Sequence, residues 1–283
     1  MNSIIIQGGL GNQLFQIFML ISYSIKHNKQ FVIPKNLQSW DKRITYWDTI
    51  FLNLMPFLVS NDDIEKYIEI KEPSFKYTEF SNITENVVLN GYFQSYKYFK
   101  NNYTEVCDKL GLYQIRNIIK QKYFTQINNT YENNKICNTI SLHFRMGDYK
   151  NMPNHHPLIS DNYYINSLFH IISVTKQQKW NVIYTCEEID DEIVLSRIQN
   201  IKNVFKELNF LKIDNTLKDY EQMLLMSVCD HNIIANSSFS WWSAYINDNP
   251  QKVVCYPSMW FGIAYSNFDT IDLYPDSWNK INV

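Results

Sequence analysis

From residue 139 onward the chain alternates short apolar runs with longer amphipathic stretches, and few folds accommodate that order. Strands are expected at Thr139 to Phe144, Asn181 to Cys186, Asn232 to Ala235 and Lys252 to Tyr256. Helices are expected over Asp161 to Val174, Asp190 to Ile201, Leu217 to Cys229 and Phe239 to Asn247. Strands separated by helices do not pair as hairpins; they line up in a parallel, doubly wound sheet with helices on its faces. Such sheets hold ligands beyond the carboxyl ends of their strands.

The first of these strands runs directly into polar chemistry. Ser141-Leu-His-Phe-Arg-Met-Gly-Asp-Tyr149 brings His143, Arg145 and Asp148 together where the strand ends. An imidazole, a guanidinium and a carboxylate within six residues call for a polar ligand or a buried ion network. Two readings follow: a strand end capped by a structural salt bridge, or a site for an anion. A second element favours the anion. Ala235-Asn-Ser-Ser-Phe-Ser-Trp-Trp242 follows a strand and opens a helix, so Asn236, Ser237 and Ser238 occupy the cap, with Phe239 behind them. Free backbone N–H groups, the helix dipole and two hydroxyls suit a phosphate. An ordinary serine-capped helix with Phe239 and Trp242 facing the core is the plainer alternative. Arg145 and such a helix head on one pyrophosphate would stabilise it as a leaving group.

The amino-terminal part reads as a strand (Ile4 to Gln7), a glycine turn and a helix carrying Leu14, Ile17 or Phe18, Ile21 and Ile25 at helical spacing. Gly9-x-Gly11 invites a dinucleotide reading, but Leu14 stands where the Rossmann fingerprint needs its third glycine, and no Walker motif is present. What remains is a turn at Gly9 and Gly11 that lets backbone approach a ligand, with Asn12 and Gln13 at the helix start to hydrogen-bond it. A tight turn capped by Asn12 is the structural alternative. Residues 36–135 have weaker periodicity, with helical patches at Asp62 to Ile70 and Tyr103 to Lys122. The polar, turn-rich run Asn128 to Lys135 is the candidate linker between two domains.

Composition excludes several classes. The formal net charge of -2 and the lack of a basic block leave no footprint for nucleic acid. The five scattered cysteines form no Cys-x-x-Cys pair, which argues against a disulfide framework or structural zinc and for a reducing compartment. Residues 3–25 are apolar but interrupted by Gln7, Gly8, Gly9, Gly11, Asn12, Gln13 and Gln16, so no transmembrane segment is expected. A cytoplasmic protein, at most peripheral to a membrane, is the expectation. No Asp-x-Asp motif for a diphosphate-bound metal occurs, so metal independence is expected too.

Four motifs, in order, resemble the α-1,2-fucosyltransferases of glycosyltransferase family 11. They are Gly8-Gly-Leu-Gly-Asn-Gln-Leu-Phe-Gln16, Gly91-Tyr-Phe-Gln-Ser-Tyr-Lys-Tyr-Phe99, His143-Phe-Arg-Met-Gly-Asp-Tyr149 and Asn236-Ser-Ser-Phe-Ser-Trp-Trp242. The resemblance implies an α/β, GT-B-like fold of two Rossmann-like domains facing across a cleft. The domains would be residues 1–135, on the acceptor side, and 136–283, which binds the GDP-sugar, with the last helix packing back on the first domain. It implies inverting transfer of L-fucose from GDP-β-L-fucose to the 2-hydroxyl of a terminal galactoside glycan, with no metal or other cofactor. By motif, Arg145 would grip the β-phosphate and His143 would help hold GDP. Ser237, Ser238 and Phe239, headed by Asn236, would line the phosphate site, and Glu187 or Glu188 would accept hydrogen bonds from guanine. Asn12, Gly9, Gly11 and Gln13 would approach sugar and diphosphate from the other domain, and Arg145, Asp148 and Asn12 would be the catalytic set. Asp148 is the nearest acid to serve as a base, or it simply orients Arg145. His155 and His156 could line the acceptor side.

The family usually reads His-x-Arg-Arg-Gly-Asp, whereas this chain has Met146 at the second arginine. If that guanidinium shares the phosphate charge, donor binding or turnover is weakened here. A degenerate, binding-only carbohydrate or GDP-sugar protein, and a fucosyltransferase with another acceptor, are the alternatives.

Overall fold

The computed structural model describes residues 1–35, 44–124 and 138–283, and the expected linker at 128–135 lies outside them. By contacts the chain divides into unit 1, Met1–Ile115 with Phe268–Pro275, and unit 2, Arg116–Asn267 with Asp276–Val283. The division thus falls at Ile115, ahead of the boundary expected at 135. Both units are α/β, and every strand pairing among the described residues is parallel.

Unit 1 begins with β1 (Asn2–Ile4) and α1 (Leu10–Lys26), followed by β2 (Ile33–Pro34), β3 (Leu58–Val59), β4 (Ile68–Lys71) and β5 (Val87–Asn90). The first strand ends at Ile4 rather than running to Gln7, which leaves residues 5–9 free to form the turn. The three-stranded sheet has the order β1-β5-β4, with β2 pairing β3 beside it. α1 buries Leu14, Phe15, Ile17, Phe18, Met19, Leu20 and Ile21, so it is apolar on nearly every face because it sits in the core. Among the described residues no helix is long and apolar enough to cross a membrane.

The patch Asp62 to Ile70 corrects the helical expectation: it is a single 3-10 turn over Asn61–Ile64 followed by β4. Its charged residues fall on the exposed side of an edge strand, where a helix-like spacing carries no helical information. The patch Tyr103 to Lys122 is two helices, α2 (Tyr103–Leu110) and α3 (Leu112–Ile119). They are broken at Gly111, whose φ of 66° is left-handed.

Unit 2 follows the expected alternation: β6 (Thr139–His143), α4 (Asp161–Thr175), β7 (Asn181–Thr185), α5 (Asp191–Val204), β8 (Asn209–Lys212), α6 (Asp219–Met226), β9 (His231–Ile233), α7 (Ser238–Ile246), β10 (Val254–Pro257) and β11 (Asn279–Ile281). β8 and β11 are additions to the sequence reading. The expected last helix is absent from the described residues: Phe268–Pro275 is turn structure grouped with unit 1, and the chain then ends in β11. There Asp272 accepts a hydrogen bond from the Ser95 hydroxyl at its carbonyl (2.6 Å), and Lys97 pairs with its carboxylate.

The six strands lie in the order β11-β10-β9-β6-β7-β8. Counted from β6 this is 6-5-4-1-2-3, the doubly wound order that reverses direction between its first and fourth strands. The reversal therefore falls between β6 and β9. β6 and β7 are buried throughout. The core beneath them joins Ile140, Leu142, Phe144, Tyr163, Tyr164, Leu168, Val182, Tyr184, Val194 and Ile198. Each such side chain contributes about 1.5–3 kcal/mol by leaving water.

Candidate active site

The connections leaving β6 and β9 carry the two strongest motifs, and the strand order sets them side by side at the reversal point. β6 delivers His143 at its last position, where the Tyr164 hydroxyl donates to the His143 carbonyl (3.0 Å) and fixes the strand end. Side chains then keep alternating through the connection. Phe144 and Met146 turn into the core, while His143 and Arg145 turn the other way.

Arg145 is held on three sides. Its Nη1 donates to Glu187, its Nη2 donates to Asp148, and its guanidinium lies 4.7 Å from the centroid of the Tyr149 ring. The Tyr149 hydroxyl donates to the carbonyl of Asn236 (3.2 Å), the residue that introduces α7, and His156 stacks on Tyr149 at 4.5 Å. A single ring thus links Arg145 to the head of α7. Burial and the neighbouring Arg145 charge push His143 down to about 3, so its imidazole is neutral. His143 Nδ1 is buried with no hydrogen-bond partner among the described residues, and the ring lies 5.2 Å from Phe239.

The loop after β6 has its own support. Gly147 takes a φ of 37°, and its N–H donates to the Asp190 carboxylate (2.7 Å), which also takes Lys150 Nζ (2.5 Å). Asp190 is fully buried, so this ion pair ties the connection after β7 to the one after β6. Neither Tyr149 nor Asp190 was singled out from sequence. Tyr149 closes a motif that was read only for its charges, and nothing local distinguishes Asp190 from its acidic neighbours.

At α7, Ser237 is the cap residue, whereas Ser238, expected in the cap with it, is already the first helical residue. No side-chain cap bond forms at Ser237, which is buried with Asn236. Asn236 Nδ2 donates to the carbonyls of Pro157 (2.9 Å) and Trp260 (3.2 Å), so this side chain binds two loops together. Glu188 is exposed beside Glu187.

The glycine turn of unit 1 is a separate construction. Gly8 carries the left-handed φ of 79°, and a Cβ there would lie 2.4 Å from Asn12 Nδ2. Gly9 caps α1 with open space where its side chain would be, and Gly11 is buried in the first turn. Gln13 Nε2 donates to the carbonyls of Gly8 (2.9 Å) and Ile44 (2.7 Å), bracing the turn from inside. Asn12 Oδ1 accepts from Gln94 (2.8 Å), and Gln16 donates to the Gly91 carbonyl (3.2 Å). These bonds join the first two sequence motifs at the carboxyl edge of the sheet. Glu72, next to them, accepts from the Tyr92 and Phe93 N–H groups at 2.8 and 2.9 Å. Burial raises its carboxyl to about 7.

Chemically, unit 2 presents a partly exposed guanidinium, a neutral imidazole and a helix head beside one another, which is an arrangement for taking up an anion. Among the described residues no group of three or more His, Cys, Asp or Glu side chains is placed to hold a metal ion.

The profile of Glycosyl transferase family 11 matches residues 48–282. The O-antigen biosynthesis glycosyltransferase WbnK of Escherichia coli is 31% identical over 221 residues, which cover 73% of this chain and 66% of that protein, just under two thirds of its length. The alpha-1,2-colitosyltransferase of Escherichia coli is 25% identical over 313 residues, covering 97% of this chain and 96% of that protein. Among solved structures, the apo form of POFUT1 aligns over 90% of this chain and 97% of its own, with 12% identity and a TM-score of 0.44.

Proposed function

The chain belongs to glycosyl transferase family 11, and on that premise we propose that it transfers L-fucose from GDP-β-L-fucose to the 2-hydroxyl of a terminal galactoside, with inversion and without a metal ion. The observation that carries the reading is the gathering of His143, Arg145 and the head of α7 at the reversal point of the six-stranded sheet. The acceptor hydroxyl oxygen attacks the anomeric carbon from the face opposite GDP, and its proton passes to solvent as the new bond forms. The bond from that carbon to the β-phosphate oxygen breaks, and its electron pair goes to the departing phosphate. Arg145 and the positive end of the α7 dipole meet that developing charge, and neutral His143 offers a hydrogen bond without adding a charge that would have to be neutralised. Ser237 and Ser238 line the same helix head. Within unit 1, Gln13 and Gln94 fix the glycine turn and the Asn12 side chain.

Replacing Arg145 by Ala is expected to lower kcat by about 10²–10³-fold with GDP-fucose and lactose. EDTA is expected to leave the wild-type rate unchanged. Turnover within a few-fold of the parent, or loss of activity on chelation that added Mg or Mn restores, defeats the scheme. A second reading changes only the sugar, because one relative is named a colitosyltransferase. Competition between GDP-fucose and GDP-colitose in the same assay decides between them.

A further inference from the structure

Arg145 meets two carboxylates before any ligand arrives. Glu187 takes Nη1 and Asp148 takes Nη2, while the Tyr149 ring covers a face of the guanidinium. A phosphate that approaches the edge of Arg145 carrying Nη1 and Nη2 therefore competes with these carboxylates for the same charge. The two partners differ in where they are anchored. Asp148 belongs to the short loop that the buried Asp190 pins through the Gly147 N–H. Glu187 reaches in from the connection after β7, forty-two residues away, and both carboxylates are close to half exposed to solvent.

The loop is also shaped to admit that reach. A Cβ at residue 147 would stand 2.6 Å from both Glu187 carboxylate oxygens, so the carboxylate could keep this position only beside a glycine. Gly147 thus leaves open the volume that the Glu187 carboxylate fills.

Resting on the donor site assigned above, we propose that Glu187 is the resident anion of that site: its carboxylate holds the edge of Arg145 that the donor diphosphate takes, and swings out to solvent when the diphosphate binds. The exchange favours ligands carrying more charge than one carboxylate, and the returning carboxylate helps to expel the product nucleotide. This role differs from recognition of guanine by the same residue, and the two predict opposite effects of one substitution.

Binding of GDP and of inorganic pyrophosphate is measured by calorimetry to the full chain, its Glu187→Gln, Glu192→Gln and Arg145→Ala variants. Glu192 is an exposed carboxylate at the start of α5 that serves as a control for lost negative charge. Glu187→Gln is expected to tighten both ligands by about three- to tenfold, the range for removing a competing exposed ion pair, with Glu192→Gln unchanged. Weaker GDP binding with pyrophosphate unaffected overturns the proposal in favour of base recognition. No change, or an equal gain in Glu192→Gln, overturns it as well. If Arg145→Ala binds GDP as tightly as the parent, the donor-site assignment itself fails, whatever Glu187→Gln does.

Discussion

Met146 lies one residue beyond Arg145 and faces the opposite way. It is 5% exposed and packs in the core, with its sulfur 3.9 Å from Nη1 of Arg197, a guanidinium that stacks near Phe144 and Tyr164 and pairs with Asp161. The expectation that a missing second arginine weakens the phosphate site assumed that position 146 shares the surface of position 145. Alternation past the strand end sends it to the other side of the sheet. Met146→Arg is therefore expected to destabilise the protein by about 2–4 kcal/mol, because it buries a second cation beside Arg197. It is expected to leave GDP affinity no better than the parent's. Urea denaturation and a GDP titration of the same variant check both halves, and a tighter-binding, stable variant contradicts them. The polar side chains of His143, Arg145 and Asp148 are legible in the sequence because each is written into one strand end. The partners of Arg145 are not, since Glu187 lies forty-two residues away along the chain.

Elements position these residues more than the residues position themselves. β6 and β9 are neighbours in the sheet although 87 residues separate Asn236 from Tyr149, whose side chain meets its carbonyl. The connection after β6 is fastened twice: by Asp190 from the β7 connection, and by Asn236, which donates to Pro157 and Trp260 and so joins it to the loop after β10. Asn236 acts here as a brace between connections, a part that its place in a serine-headed motif did not disclose. Asn236→Ala leaves two carbonyls unsatisfied in a buried setting and is expected to cost about 2–3 kcal/mol. Limited proteolysis should then cut first within residues 152–160, whereas the parent is cut there no faster than elsewhere. An unchanged digestion pattern and melting temperature would show that the two carbonyls find other donors.

At the scale of the molecule, two buried ionisable groups tilt stability with pH in opposite senses. Glu72 has its carboxyl raised from 4.5 to about 7, chiefly by burial. The folded state therefore holds the proton that the unfolded chain releases, and stability falls as pH rises from 4.5 through 7, by an amount on the order of 3 kcal/mol. His143 is depressed from 6.5 to about 3, so its contribution is present above 6.5 and is lost as pH falls toward 3. Glu72→Gln is expected to raise the melting temperature of the parent at pH 8 and to leave it little changed at pH 4.5. An equal effect at both values would mean that Glu72 is already charged in the folded protein at low pH. The sequence by itself determined the alternating order of unit 2, its parallel sheet and the two strand ends that carry polar chemistry, because hydrophobic period and turn residues are local properties of the chain. It left undetermined the short strands β4, β8 and β11, each of four residues or fewer and half exposed, where no period has room to show itself. Only the tertiary structure decided which strands are neighbours, which way residue 146 faces and which carboxylates meet Arg145. Those outcomes depend on contacts between residues far apart in sequence, and the packing of the whole sheet selects them.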